Sequence, residues 1–183
     1  MAAAVWRVLD QAGFAGLSIR AVARELDATT GIVTHYFPTK RELTSFALDL
    51  LAETTESRDR RIADPDVDPD GLRDLRSALR GMLPLDAIST TANRIWVSSW
   101  DAALADERHA ADHADRYRVS RAKIAELLTD TDGDRDRVLQ VTEVLHSFIL
   151  GMTVQAVLDP TSYPPQRQIA LLDELLDDLL TPE

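Results

Sequence analysis

"DATTGIVTHYFPTKREL" (Asp27–Leu43) is the stretch on which the reading of the chain turns. It places threonines, a glycine, a histidine and two aromatics in barely two helical turns and then stops at Pro38. A buried helix prefers leucine at such positions, and a solvated one prefers glutamate and lysine. Pro38 cannot continue a helical hydrogen-bond ladder and restricts Phe37 before it, so the helix beginning near Thr29 or Thr30 ends near Phe37. Thr39 is then placed to cap a longer helix from Lys40 to about Ala63.

Upstream, Ser18 is a good N-cap for a helix whose Ile19, Val22, Ala23 and Leu26 share one face. An earlier helix, about Ala2 to Ala12, carries Val5, Val8 and Leu9 inward and ends at Gly13-Phe14. Asp27-Ala28-Thr29 alone join the second and third helices. Short helices joined so tightly cross steeply, as in a helix-turn-helix. In that motif the second helix enters the major groove, roughly 12 Å wide, and its exposed face must be slim. Thr30, Gly31 and Thr34 meet that demand: the threonines offer a hydroxyl and a methyl, and Gly31 lets the backbone approach closely. His35, Tyr36 and Lys40 lie where phosphates pass, while Val33 and Phe37 point back to the core. The plainer alternative is a short polar helix in an ordinary bundle.

Working outward, apolar positions recur at spacings of three and four throughout, with no sustained period-two alternation, so the fold class is all-α. "DPDVDPDG" (Asp64–Gly71) is the clearest break. Helices are expected near Leu72–Leu83, Ile88–Ala105, Glu107–Leu128, Arg135–Leu158 and Pro164–Leu180. The domain division is residues 1–46, a three-helix helix-turn-helix domain, and residues 47–183, a larger helical domain.

The 183 residues carry a net charge of −11. Residues 1–48 hold five Lys/Arg against four Asp/Glu, and the remainder 15 against 27, so the acidity lies outside the N-terminal segment. There is no cysteine, hence no disulfide framework or thiolate zinc site. No convincing signal peptide or bilayer-spanning run is present, and a cytoplasmic location is expected.

The segment "GFAGLSIRAVARELDATTGIVTHYFPTKRELTSFAL" (Gly13–Leu48) resembles the DNA-binding segment of TetR-family transcriptional regulators. Gly13, Phe14, Ser18, Ile19, Val22, Ala23, Thr29, Gly31, Val33, Tyr36, Phe37 and Lys40 fall in step with that family's pattern. "THYF" and "NRIWVSSWDAAL" (Asn93–Leu104) resemble its betaine-regulator-like branch more weakly. Three departures stand out. Asp27 replaces a frequent turn glycine, Thr34 replaces a usual tyrosine, and the sequence opens almost on the first helix, where family members often carry a basic arm, so either that arm is missing or the natural start lies upstream.

The resemblance implies a ligand-responsive DNA-binding regulator, most often a repressor, released from a palindromic operator by a small molecule. Ser18 and Thr29 would present hydroxyls and amides to phosphate. Thr30 and Thr34 would face bases, Gly31 would admit the backbone, and His35, Tyr36 and Lys40 would hold phosphates. The last two helices would form a two-fold dimer interface through Val141, Leu145, Ile149, Met152, Leu172, Leu176 and Leu179, with internal core as the plainer reading of both stripes. Met82, Trp96, Trp100, Tyr117, His146 and Phe148 would line an effector pocket, with ordinary core as the plainer reading. No cofactor, metal, membrane or catalytic role is expected. The competing function is a helical small-molecule-binding or interaction module without DNA binding.

Metal and catalytic signals are weak. His109 and His113, with Asp106 one turn earlier, have metal-capable spacing but no evident fourth ligand. "DTDGDRD" (Asp130–Asp136) has its glycine two positions too early for a calcium loop, and Val141 stands where the bidentate glutamate belongs; it reads as a turn that caps the next helix. "DELLDDLL" places its carboxylates on an exposed helix face.

Overall fold

The computed structural model describes residues 1–62, 73–129 and 134–180. Among them are ten helices and no strand: α1 (Ala2–Gly16), α2 (Ile19–Glu25), α3 (Thr30–Tyr36), α4 (Lys40–Ile62), α5 (Arg73–Met82), α6 (Ala87–Ser98), α7 (Trp100–Ala105), α8 (Glu107–Thr129), α9 (Arg135–Leu158) and α10 (Pro165–Leu180). The break expected at Asp64–Gly71 lies outside the described residues. The chain divides into two compact units, Met1–Thr54 with Arg94–His113, and Thr55–Asn93 with Ala114–Glu183.

In the first unit, α1 is kinked at Gly13, whose φ is 59° and ψ −166°. Only glycine occupies that region without strain. A side chain there would also crowd Ser98 Oγ, 3.1 Å from the position of a Cβ. Val5, Val8 and Leu9 are buried as their spacing predicts. On α2, Val22 and Ala23 are buried and Ala21 joins them, while Ile19 and Leu26 are only half-buried. Ser18 Oγ accepts the Ala21 N–H at 3.1 Å and so caps α2.

α2 ends in a Schellman turn. Asp27 takes a φ of 50°, its N–H bonds to the Arg24 carbonyl at 3.1 Å, and the Ala28 N–H bonds to the Ala23 carbonyl at 2.9 Å. Asp27 thus takes the positive φ that a turn glycine would supply, in a residue that tolerates it better than most. Arg7 and Glu25 form an ion pair between α1 and α2. After α3, Thr39 and Glu42 make a reciprocal capping box: the Glu42 N–H donates to Thr39 Oγ1 at 3.2 Å and the Thr39 N–H to Glu42 Oε2 at 2.8 Å. Phe37 is buried and its ring lies 5.0 Å from that of Phe46.

The helix expected over Ile88–Ala105 is in fact two, α6 and α7, broken at Ser99. The cause is local. Ser98 Oγ donates to the Ile95 carbonyl at 2.7 Å and Ser99 Oγ to the Trp96 carbonyl at 2.6 Å. Both hydroxyls compete with the backbone for carbonyls of the preceding turn, which favours a bend.

The core of the second unit comprises Leu75, Leu79, Leu83, Ile124, Leu128, Val138, Val141, Leu145, Ile149, Met152, Leu172 and Leu176. Asp134 caps α9, its carboxylate accepting from the Asp136 N–H at 3.0 Å, as the reading of that turn anticipated. α5 is tied to α10 by a small network. Arg76 bonds Asp173 at 3.0 Å and Asp177 at 2.7 Å, and Arg80 bonds Asp173 at 2.7 Å. Burial acts to lower the pKa of Arg76, but hydrogen bonds and charge from Asp177 and Asp173 outweigh it and hold the guanidinium above its ordinary value.

Candidate nucleic-acid interface

α3 buries a single residue of its seven, Val33. Thr29, Thr30, Gly31, Thr34, His35, Tyr36 and the following Lys40 are all exposed, and Ser18 is half-buried. The helix thus rests on Val33 and Phe37 and presents everything else outward.

Gly31 has an ordinary helical conformation, and a Cβ there would meet only Thr29 Oγ1, at an easy 3.7 Å. The fold itself does not require glycine at this position. In a helix glycine costs roughly 1 kcal/mol relative to alanine. A bare backbone at the middle of an exposed helix face is what close approach to another molecule demands.

The hydroxyls divide their work. Thr34 Oγ1 donates to the Gly31 carbonyl at 3.1 Å, which leaves its lone pairs for an incoming donor. Thr29 occupies the N-cap position of α3 without a side-chain cap bond. His35 and Tyr36 meet edge to face at 5.5 Å. The sequence reading passed over Ile32, which is exposed on the same helix. It also passed over Arg20, Arg24 and Arg41, exposed on α2 and at the start of α4. Helical spacing relative to Val33 would have found Ile32, since adjacent positions differ by about 100° around the axis.

The six residues expected to line an effector pocket divide between the units. Trp96 and Trp100 belong to the first, and Met82, Tyr117, His146 and Phe148 to the second. In the first, Trp96 lies 4.6 Å from the His113 ring. His113 Nε2 is 3.0 Å from Ser99 Oγ. The Ser99 proton is already committed to the Trp96 carbonyl, so the serine oxygen accepts here and His113 carries its proton on Nε2. Among the described residues no group of three or more His, Asp or Glu side chains is placed to hold a metal ion. In the second unit, the Tyr117 and His146 rings meet edge-on at 5.4 Å. Burial, then the charge of Arg121, pushes the His146 pKa down, with Glu143 opposing. Met82 and Phe148 are partly buried against that unit's core.

The residues expected at a dimer interface lie on the inward side of α9 and α10. Val141, Leu145, Ile149, Met152, Leu172 and Leu176 are buried in the chain's own core, and Leu179 packs against it. A side chain enclosed within one chain is not free to meet a second. The apolar stripe chosen from the sequence is the inward one. The outward side of α9 is uncharged over this stretch: Val144, Ser147, Gly151, Gln155 and Leu158 are exposed, and no charged residue occurs between Glu143 and Asp159. By length and composition α9 is even apolar enough to cross a membrane. Its inward face, however, belongs to the core cluster.

A short exposed helix set on a Schellman turn and a three-helix core defines a helix-turn-helix DNA-binding protein. A family profile described as bacterial regulatory proteins, tetR family, matches residues 2–45, and one described as BetI-type transcriptional repressor, C-terminal, matches residues 72–181. The chain belongs to the TetR family of transcriptional regulators, with a C-terminal region of the BetI type.

Among its relatives, the HTH-type transcriptional regulator PksA of Bacillus subtilis (strain 168) is 30% identical over 169 residues, covering 87% of this chain and 78% of PksA. BetI of Burkholderia ambifaria (strain MC40-6) is 26% identical over 187 residues, covering 97% and 90%. A transcriptional regulator from Rhodococcus sp. Rha1 superposes with a TM-score of 0.83 at 25% identity, covering 98% and 93% of the two chains. A transcriptional regulator from Saccharomonospora viridis, solved in complex with choline, has a TM-score of 0.81 at 17% identity, covering 100% and 96%. These relatives are regulators rather than enzymes. Proteins of the family bind DNA and small-molecule effectors and act as dimers.

Proposed function

We propose that this chain is a cytoplasmic repressor that binds a palindromic operator as a two-fold dimer and leaves it when a small molecule binds. The observation that carries the DNA-reading step is the outward face of α3, exposed at every position but Val33 and bare at Gly31. Residues 1–46 form the reading head in this account and residues 47–183 the effector and dimerisation domain. Thr30 and Thr34 face bases. Ser18, Thr29, His35, Tyr36 and Lys40 hold phosphates, with Arg20, Arg24 and Arg41 adding charge around them.

The dimer face is re-aimed to the outward side of α9, at Val144, Ser147, Gly151 and Leu158. An outward face without charge, apolar at Val144 and Leu158 and bare at Gly151, suits cover by a second helix. Gly151 has nothing within 4 Å of the position of a Cβ, so its chain leaves room for close approach by a second helix. Two heads related by a two-fold then reach half-sites roughly 34–36 Å apart, or a modest variation of that spacing.

The effector is a neutral or cationic small molecule, in keeping with the acidic chain outside the N-terminal segment. In the second unit the aromatic face of Tyr117 suits a cation, with Met82, His146 and Phe148 as further candidate contacts; in the first unit Trp96 and Trp100 offer the same kind of face. Choline, present in the Saccharomonospora viridis structure, is the first probe to try. The effector acts only by binding one conformation better than the other.

Selection of bound duplexes from a random pool tests the function. The expected product is a palindrome whose binding weakens steeply with salt. A chain that enriches no duplex is a small-molecule-binding module without DNA activity.

A further inference from the structure

α3 carries one apolar side chain that serves no core. Ile32 is 50% exposed, beside a fully buried Val33. At about 100° per residue, Gly31 and His35 lie nearly opposite Val33 and form the midline of the outward face. Thr34, with Thr30, lies on one flank of that midline. Ile32, with Tyr36, lies on the other. The two flanks differ in chemistry. One carries two threonine hydroxyls; the other carries, beside the Tyr36 phenol, a branched hydrocarbon that can neither donate nor accept a hydrogen bond.

Nothing in the fold calls for isoleucine at this position. A β-branched residue is a weak helix former, and half of its surface meets water. Single exposed apolar residues are common on protein surfaces. This one occupies a face whose other members are small, polar or amphipathic and whose midline is bare at Gly31. Of the features a base pair displays in the major groove, the thymine 5-methyl is the apolar one.

We propose that Ile32 is a specificity-determining residue that reads a thymine methyl, on the flank of α3 opposite Thr34. This inference rests on the DNA-reading role of α3. It adds a contact that depends on a methyl group alone, while Thr34 contributes hydrogen-bonding readout through its free lone pairs.

The test uses the palindrome recovered by duplex selection, remade with deoxyuridine in place of thymidine one position at a time. That exchange removes only the methyl. Wild type, Ile32→Ala and Ile32→Val are titrated against each duplex by fluorescence anisotropy. Because Ile32 is exposed, thermal unfolding of both variants is expected to match wild type. At one thymidine per half-site, deoxyuridine should weaken wild type about fourfold, and about fifteenfold when both half-sites are changed, the scale of one methyl-sized apolar contact. Ile32→Ala should bind the two forms equally, and Ile32→Val should keep part of the preference. Unchanged discrimination by Ile32→Ala at every position overturns the inference, as does a wild type indifferent to the methyl throughout. A pool that yields no enriched duplex overturns the DNA-reading role itself and this inference with it.

Discussion

The Ser98 hydroxyl accepts the backbone N–H of Phe14 at 3.3 Å while donating its own proton to the Ile95 carbonyl at 2.7 Å. One side chain thereby ties the end of α6 to the kink in α1. Four residues earlier on α6, Arg94 reaches the Asp10 carboxylate at 3.1 Å. The α6 end and the kink fit because Gly13 has no side chain.

Gly13→Ala should therefore be destabilising by about 1–3 kcal/mol, from the strained backbone region and the crowding of Ser98. Urea unfolding measures this. Gly31→Ala is the matched control: a Cβ there meets only Thr29 Oγ1, at 3.7 Å, and the variant should be neutral or stabilising by up to about 1 kcal/mol. Equal losses in the two variants would contradict the account of Gly13.

Thr39→Ala removes the reciprocal cap that starts α4 directly after the reading helix. A loss of about 1 kcal/mol is expected, the usual scale for an N-cap threonine. Glu42→Gln should retain most of the stability, since an amide oxygen still accepts the Thr39 N–H.

His146 is buried, and its pKa is pushed below the ordinary 6.5, chiefly by burial and next by the charge of Arg121. The unfolded chain then binds more protons than the folded one in the window between the depressed value and 6.5. The stabilising contribution is present above that window and is lost as pH falls through it. His146→Gln should flatten this part of the stability–pH curve. An unchanged slope in the variant would show that His146 does not titrate this way.

The two flanks and the phosphate contacts of the reading head should separate in DNA titrations. Lys40→Ala is expected to weaken binding to all duplexes alike and to reduce the salt slope by about 1. Thr34→Ala should relax preference at one base position, where a mismatch ordinarily costs about 1–3 kcal/mol. The opposite pattern would exchange the roles assigned to the two residues.

Much of the reading head is legible in the sequence because its signals are local. Ser18, Asp27, Thr29 and Pro38 punctuate the backbone, and their effects reach only three or four residues. The break at Ser99 was missed because the apolar spacing from Ile88 to Ala105 runs through it, whereas two serine hydroxyls bend the chain by bonding to carbonyls. The two sides of α9 were indistinguishable in the sequence for a different reason. Val141 and Val144 are equally apolar, and periodicity reveals a stripe without saying which side the rest of the chain will cover. Burial of Val141, Leu145 and Ile149 answers that, and it moves the proposed dimer face to Val144 and Gly151. Val144→Glu should accordingly shift the chain toward monomer in sedimentation, while leaving each chain folded.

The most direct test of the account places a side chain on the midline of α3. Gly31 is exposed, a Cβ there meets only Thr29 Oγ1 at 3.7 Å, and Gly31→Leu replaces a poor helix former by a good one. Anisotropy titration of wild type and Gly31→Leu against the selected palindrome, with thermal unfolding in parallel, should show operator affinity reduced by roughly two orders of magnitude while stability is retained or raised, since a bulky residue at the interface blocks entry to the groove. Operator affinity equal to wild type in a fully folded Gly31→Leu protein would contradict the claim that this face of α3 enters DNA.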